Sequence, residues 1–188
     1  PLIYVLSASF SDPVSVTTGK VTLLPVQPTL DGYTTIFQYG PIWLGYRNTL
    51  FYTIVGTLIN MAVTLPCAYA LSRRDFVGRN VLSIFFAFTM FFSGGLIPTY
   101  LVVKQLKMLN TVWALLLPTA MSVWNMIIAR TYFQNSIPAG LEEAATIDGC
   151  SNLKLFFQII LPLSQPIIAV LILYYAVGHW NEYFNALI

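Results

Sequence analysis

The sequence has 188 residues, of which 57% are hydrophobic and 9% are charged, and its formal net charge at pH 7 is +2. Soluble domains usually carry about 25% charged residues, so this composition excludes an ordinary soluble protein and favours a membrane protein. The small net charge gives no reason to expect a nucleic-acid partner, and the length predicts one domain over residues 1–188.

The first 47 residues divide into a short apolar segment and a long polar one. Residues 1–10, PLIYVLSASF, are predicted to be the end of a first membrane span, and the chain is expected to be a fragment of a longer protein. Residues 11–47 are rich in Pro, Gly, Ser and Thr, which are typical of turns. We predict an extracytoplasmic loop here, with one short strand at residues 21–24.

Four later segments contain no Asp, Glu, Lys or Arg: residues 48–72, 80–103, 108–129 and 155–181. A membrane-spanning helix needs about 20 mostly apolar residues, and each segment is long enough. Because a spanning segment must satisfy its backbone hydrogen bonds internally, we predict four complete helical spans, at residues 49–71, 81–103, 111–133 and 163–180. The predicted fold class is all-α, a polytopic helical membrane protein.

Two features are expected to interrupt these helices. Pro66 is predicted to bend the first complete span. The segment Ser93, Gly94 and Gly95, followed by a proline, is predicted to bend or break the second.

Positive charge favours the cytoplasmic side of a membrane. Five basic residues fall on one predicted side and four on the other, so the rule decides little. The dense group Arg73, Arg74 and Arg79 favours a cytoplasmic position for its loop. Alternation of the spans then also places residues 134–162 in the cytoplasm.

That second cytoplasmic loop carries the most ordered polar pattern of the chain. Its first helix is predicted to begin at Pro138 and to end at Asp148 and Gly149, because glycine adopts the left-handed conformation after a helix without penalty. This helix would present a ridge of alanines flanked by carboxylates. We expect it to dock into a groove on another protein. The alternative is a helix resting on lipid headgroups, although such helices usually carry Lys and Arg on their polar face.

A second short helix is predicted to follow, capped by Ser151 or Asn152 and stopped by Pro162. Four apolar residues at helical spacing would form its buried face: Leu153, Phe156, Phe157 and Ile160.

The spacing of this loop resembles the signature of one protein family. Glu143-Ala144-Ala145, then Gly149, then Ile159, Leu161 and Pro162 match the signature loop of permease subunits in ATP-binding-cassette (ABC) importers. The segments YALSRRDFVGRN, GGLIPTYLVVKQLKMLNT and HWNEYFNAL resemble sugar-importing members similar to the maltose permease G subunit. The resemblance covers nearly the whole chain.

The resemblance implies the ABC importer transmembrane-domain fold, a six-span core of which this chain lacks the last span. It also implies that residues 135–162 form a cytoplasmic coupling loop that contacts an ABC ATPase dimer. The implied coupling residues are Glu142, Glu143, Ala144, Ala145, Asp148, Gly149 and Pro162. Further implied partners are a second permease subunit, expected to form a heterodimer, an extracytoplasmic solute-binding protein, a sugar or oligosaccharide and the lipid of a prokaryotic inner membrane.

The sequence contains no G-x-x-x-x-G-K-[ST] phosphate-binding loop, so we expect a non-catalytic subunit whose partner hydrolyses ATP. No cofactor and no metal site are predicted. Polar residues inside spans are costly and often functional, which makes five residues candidates for a substrate path: Asn60, Asn125, His179, Trp180 and Asn181. The alternative is that these side chains join helices or lie at the membrane interface.

Other functions remain open at this point. A secondary transporter or channel working without ATP would be expected to carry ionisable residues at mid-span, and a membrane-embedded enzyme would need a catalytic set of side chains. An ABC importer for amino acids, phosphonates or peptides would share the signature loop.

Overall fold

A computed structural model describes residues 1–92 and 94–182, and within this part the side chain of Ala139 is not described. Ser93 and residues 183–187 of the HWNEYFNAL segment, for which predictions were made, lie outside it. All named elements are helices, and the described residues contain no strand. The helices are α1 (Leu2–Ser9), α2 (Pro13–Thr17), α3 (Asp31–Gln38), α4 (Gly40–Ser72), α5 (Arg79–Phe91), α6 (Leu96–Gln105), α7 (Val112–Leu116), α8 (Val123–Ser136), α9 (Ala139–Ile147), α10 (Asn152–Leu155), a π-helical turn (Phe156–Ile160), α11 (Leu161–Leu163) and α12 (Gln165–Trp180).

Residues 1–49 form a compact unit of their own. The Ser7 hydroxyl donates to the Leu23 carbonyl at 2.5 Å, and the Ser11 hydroxyl donates to the Ser7 carbonyl at 2.6 Å. Val21 is buried, but residues 21–24 form no strand, and the nearest extended pairing is an isolated antiparallel bridge between Ser11 and Pro28. The predicted strand is therefore wrong, because serine hydroxyls rather than a neighbouring strand pair with this backbone.

The helix α4 is the longest element, with 33 residues. It begins at Gly40, earlier than the predicted start at residue 49, and it continues as one helix past Pro66. An α-helix rises about 1.5 Å per residue, so α4 exceeds the roughly 30 Å of a hydrocarbon core. Among the described residues it is the one helix that could span a membrane alone. The number rises to at most three if the broken pairs α5–α6 and α10–α12 each count as one span.

The predicted span at residues 111–133 is not one continuous helix. It consists of α7 and α8, which are separated by a non-helical segment at residues 117–122. Pro118 has no N–H to continue the helical ladder, and Ser122 begins α8 by accepting a 3.4 Å hydrogen bond from the Asn125 N–H. The second predicted span is also not one helix. It is interrupted between α5 and α6, as the glycines there predicted.

The core of residues 50–182 lies where α4, α8, the loop at residues 134–162 and α12 meet. It contains Met61, Leu65, Tyr69, Met126, Ala129, Phe133, Leu155, Phe156, Ile160, Ile167, Leu171 and Tyr175. Many large apolar side chains on the outside of the helices remain exposed, as expected for surfaces that face lipid or other subunits. The core thus fixes the loop at residues 134–162 to the end of α4.

Candidate functional site: the loop at residues 134–162 and a polar cluster between the helices

The first helix of the loop, α9, follows the local signals of its sequence. Pro138 precedes its first residue, and Asp148 ends it. Gly149 has φ = +71°, the left-handed conformation that was predicted. The Cys150 N–H then donates to the Ala145 carbonyl at 2.9 Å, which satisfies one of the free carbonyls at the end of the helix.

The two faces of α9 have different environments. Ala145 is only 6% exposed and belongs to the core of the chain, so it does not extend the outer ridge of alanines that the sequence predicted. Glu143, Ala144 and Asp148 are exposed. Ile147 is 86% exposed on the same helix and was not singled out from the sequence. The outward surface is therefore acidic with one large apolar residue.

Glu142 points back toward the end of α4. The Tyr69 hydroxyl donates to Glu142 Oε1 at 3.2 Å, and Arg73 Nη1 donates to the Tyr69 hydroxyl at 3.1 Å. Arg73 Nη1 also lies 3.3 Å from Asn152 Oδ1, in the second helix of the loop. Arg73 is thus bonded directly to the second helix of the loop and, through the Tyr69 hydroxyl, to the first, and the loop lies on the side of Arg73.

Arg73 also forms a bidentate ion pair with Asp75. Its Nε and Nη2 donate to the two carboxylate oxygens at 2.8 and 2.7 Å. Hydrogen bonding from Arg73 lowers the pKa of Asp75 below its ordinary value, and the bond to Asp75 is the largest cause that raises the pKa of Arg73. Arg73 therefore stays charged while it holds the loop.

The second helix of the loop is capped as predicted, because the Ser151 hydroxyl accepts a 3.4 Å hydrogen bond from the Lys154 N–H. The predicted apolar face is partly wrong. Leu153 is 73% exposed and Phe157 is also exposed, whereas Leu155 is buried. The helix changes to a π-helical turn at Phe156, and the extra residue per turn moves Phe157 off the α-helical pattern, whereas Leu153 and Leu155 lie before this turn.

Phe156 and Ile160 keep their predicted buried positions, and Phe156 stacks on Tyr69 with ring centroids 5.1 Å apart. Pro162 does not stop the helix. It lies at the start of α11, where a missing N–H costs little, and the chain turns at Ser164. The axis bends there by 82° into α12.

An open groove of about 780 Å³ lies beside α9. Its lining combines basic residues after α4 with acidic residues of α9, among them Arg74, Arg79, Glu142 and Glu143. The exposed acidic side chains of the loop therefore border a polar groove rather than an apolar surface.

A second polar site lies between α4, α12 and the break after α7. The Asn60 amide Nδ2 donates to the Thr119 carbonyl at 2.6 Å. Because this bond makes Nδ2 the donor, Asn60 Oδ1 accepts, and His179 Nε2 donates to it at 2.8 Å. The other ring nitrogen, Nδ1, lies 3.4 Å from Glu182 Oε2.

Tyr175 makes a parallel connection within the same cluster. Its hydroxyl shares a 2.7 Å hydrogen bond with the Thr64 hydroxyl and accepts a 3.2 Å hydrogen bond from the Ser122 N–H. Non-helical backbone in a membrane must be satisfied by protein groups. Asn60 and Tyr175 supply such partners at the two ends of the break between α7 and α8.

A cavity of about 330 Å³ opens beside this cluster. Three candidates for the substrate path line it: Asn60, Asn125 and His179. Trp180 and Asn181 are not among its described lining residues, and the Asn181 amide donates to the Val177 carbonyl of its own helix. The lining also includes Thr119, Tyr174 and Tyr175, which the sequence did not single out because tyrosines near a span end are common.

The comparison with protein families decides what kind of chain carries these two sites. The family described as "Binding-protein-dependent transport system inner membrane component" matches residues 40–188. The chain belongs to this family. The resemblance drawn from the signature loop and the predicted inner-membrane localisation are thereby confirmed.

Individual members of this binding-protein-dependent transport family are similar over the whole chain. The "Polygalacturonan/rhamnogalacturonan transport system permease protein YtcP" of Bacillus subtilis (strain 168) is 47% identical over 188 residues, which are 100% of this chain and 65% of that protein. "Protein LplC" of the same organism is 43% identical over 188 residues, which are 100% of this chain and 63% of that protein. The chain thus spans less than two thirds of the length of these relatives.

A solved structure of a family member has the same fold. It is described as "Crystal structure of a bacterial ABC transporter involved in the import of the acidic polysaccharide alginate". The match has a TM-score of 0.93 and 38% sequence identity, and it covers 98% of this chain and 65% of that one. The predicted all-α fold of an ABC importer permease is confirmed.

Proposed function

We propose that this chain is a permease subunit of an ATP-driven, binding-protein-dependent importer of oligosaccharides, and that residues 135–162 couple it to a cytoplasmic ABC ATPase. Membership of the family supports the transport role. The names of the similar proteins concern polygalacturonan, rhamnogalacturonan and alginate, and these names favour oligosaccharides that contain uronic acids.

One observation carries the coupling role: the acidic outer face of α9 is free for a partner while its inner face is fixed to α4. Glu143 and Ala144 are exposed, whereas Ala145 is buried against the helices. The bonds from Tyr69 and Arg73 tie the loop to the cytoplasmic end of the longest helix. A force applied to the outer face is therefore transmitted to α4 without a flexible link.

The chemistry of this face favours a protein groove over a lipid surface. Amphipathic helices on membranes use basic residues to reach anionic headgroups. Glu143 and Asp148 would be repelled by such a surface, whereas the basic rim of a protein groove would attract them. Ile147, at 86% exposure, would fill an apolar position at the base of such a groove.

The remaining partners follow from the same proposal. ATP binding closes the ATPase dimer, and the dimer hydrolyses ATP, while this chain and a second permease subunit form the pathway. A solute-binding protein delivers the sugar on the outside, where we place residues 11–47, and residues 1–10 would be the end of the first span. Coupling requires that the two conformations differ in their contacts with the ATPase, because a partner that binds both equally shifts nothing.

Charge reversal at Glu143 tests this proposal. In the assembled complex, Glu143→Lys should reduce ATP hydrolysis stimulated by the loaded solute-binding protein at least about ten-fold, which corresponds to about 1.4 kcal/mol of coupling. Gln105→Lys, an added positive charge at an exposed position at the end of α6, is the matched control and should leave the stimulation unchanged.

Two outcomes would contradict the assignment. Glu143→Lys with full stimulation would remove α9 from the coupling surface. Import that continues in vesicles lacking the ATPase subunit would support an ATP-independent transporter instead.

A further inference from the structure

The break between α7 and α8 lies beside the cavity that Asn60, Asn125 and His179 line. Binding sites of membrane transporters commonly form where a helix is interrupted, because the freed backbone groups face a cavity rather than lipid. The cavity volume of about 330 Å³ is at the small end of ligand sites, which suits a single sugar ring.

Asn60 and Asn125 are buried amides with different hydrogen bonding. Asn60 uses both ends of its amide within the protein, toward the Thr119 carbonyl and toward His179 Nε2. Its side chain is therefore committed to holding the wall of the cavity.

Asn125 lines the cavity, and 7% of the surface of this residue is exposed. Its backbone N–H is bonded to the Ser122 hydroxyl, but no hydrogen bond joins its side-chain amide to another residue within 1–92 and 94–182. Its amide nitrogen and oxygen are not among the fully buried atoms that lack a partner, so the amide keeps access to solvent. On a residue that is nine-tenths buried and lines the cavity, a solute in the cavity would use this access.

The lining of the cavity also indicates the chemistry of that partner. The described lining residues include neither lysine nor arginine, while Glu182 is among them. A carboxylate of a solute would find no positive partner there. An amide offers one acceptor and two donors, which match neighbouring hydroxyl groups of a sugar, and the half-exposed ring of Tyr174 offers an apolar face beside it.

We propose that Asn125 contacts the hydroxyl groups of a transported sugar at the break between α7 and α8, and that Asn60 and His179 position the wall of this site. The proposal rests on the proposed function of the chain as a sugar permease. It separates the polar candidates into one solute contact and two positioning residues.

The test is import into vesicles that contain the complete complex with its solute-binding protein, using trigalacturonate and its neutral counterpart galactotriose. Asn125→Ala should raise the half-saturating concentration for import about three- to ten-fold on each sugar that the wild-type complex imports, the effect of one or two neutral hydrogen bonds. ATP hydrolysis stimulated by the loaded binding protein should remain, because the coupling loop is unchanged. Asn80→Ala is the matched control, since Asn80 is exposed in α5 and is not among the described residues that line the cavity, and it should leave import unchanged.

A second variant separates hydroxyl recognition from carboxylate recognition. Asn125→Asp keeps the shape and the acceptor but adds a negative charge. If the site binds hydroxyls, Asn125→Asp should impair import of trigalacturonate no more than Asn125→Ala does. A much larger loss with Asn125→Asp would mean that a carboxylate lies there, and would overturn the proposal.

The remaining outcomes are equally decisive. If Asn125→Ala imports like the wild type and like Asn80→Ala, the site is wrong while the proposed function stands. If Asn125→Ala does not assemble, the comparison of Asn125→Asp with the wild type decides: unchanged import overturns the site, and a modest rise in half-saturating concentration supports it. A wild-type complex that imports neither sugar with ATP overturns the proposed function and this site together.

Discussion

Gly56 in α4 lies against the ring of His179 in α12, so closely that a Cβ atom added to Gly56 would be 2.5 Å from His179 Nε2. The same nitrogen donates to Asn60 Oδ1 at 2.8 Å, one helical turn further along α4. The absence of a side chain at Gly56 is therefore what allows the histidine to reach Asn60. This contact joins the longest helix to the last described helix.

We predict that Gly56→Ala displaces His179 and weakens its bond to Asn60. Overpacking in a filled site usually costs about 1–3 kcal/mol, and the lost hydrogen bond falls within that range. The measurement is the thermal unfolding midpoint of the purified complex. Gly45→Ala is the matched control in the same helix, because a Cβ there would meet no atom within 4 Å. A midpoint equal for both variants would contradict the close packing of His179.

The sequence predicted the loop better than it predicted the helices around it. The effects on helix ends of Pro138, Gly149 and Ser151 reach only a few residues along the chain, so they follow from local chemistry. The bond between Asn60 and His179 joins residues 119 apart in sequence, and no periodic pattern indicates such a pairing.

The helix breaks illustrate the same limit. The apolar, uncharged segment at residues 111–133 fits one span by composition, and only the bonds from Asn60 and Tyr175 to the backbone of the break make an interruption stable there. The π-helical turn at Phe156 likewise depends on how its side chains pack against Tyr69. Such features depend on tertiary contacts, which hydropathy does not contain.

The left-handed conformation of Gly149 makes the end of α9 sensitive to substitution. Gly149→Ala should destabilise this turn by about 1–2 kcal/mol, because an L-residue clashes with its own carbonyl at φ = +71°. Stimulated ATP hydrolysis by the complex should fall, since the acidic face of α9 would no longer be held in place. Gly140→Ala is the control: it lies inside α9 with open space around it, and alanine is the better helix former. Equal activity of the two variants would show that the turn does not position the loop.

The Tyr69 hydroxyl is the bridge between Arg73 and Glu142. Tyr69→Phe keeps the stacking on Phe156 but removes both hydrogen bonds, so we expect a loss of about 1–2 kcal/mol in the free energy of unfolding. A double-mutant cycle with Glu142→Gln should give a coupling energy of at least about 0.5 kcal/mol. Tyr132→Phe is the control, because that hydroxyl is exposed and its bond to the Leu163 carbonyl is long, at 3.5 Å. Additive effects of Tyr69→Phe and Glu142→Gln would exclude the bridge.

The ion pair between Arg73 and Asp75 predicts a pH dependence of defined sign. Hydrogen bonding from Arg73 lowers the pKa of Asp75 in the folded protein, so the pair contributes stability above the ordinary carboxyl pKa and loses it as the pH falls through the lower folded value. Asp75 is largely exposed, which limits the contribution to less than about 1 kcal/mol.

The measurement is the difference in unfolding midpoint between the wild-type protein and Asp75→Asn across the acidic range. Wild type should be the more stable protein at neutral pH, and the difference should shrink below the ordinary carboxyl pKa and also in high salt, since exposed charges are screened. A difference that grows on acidification would reverse the sign of the linkage and exclude a stabilising role for this pair beside the loop at residues 134–162.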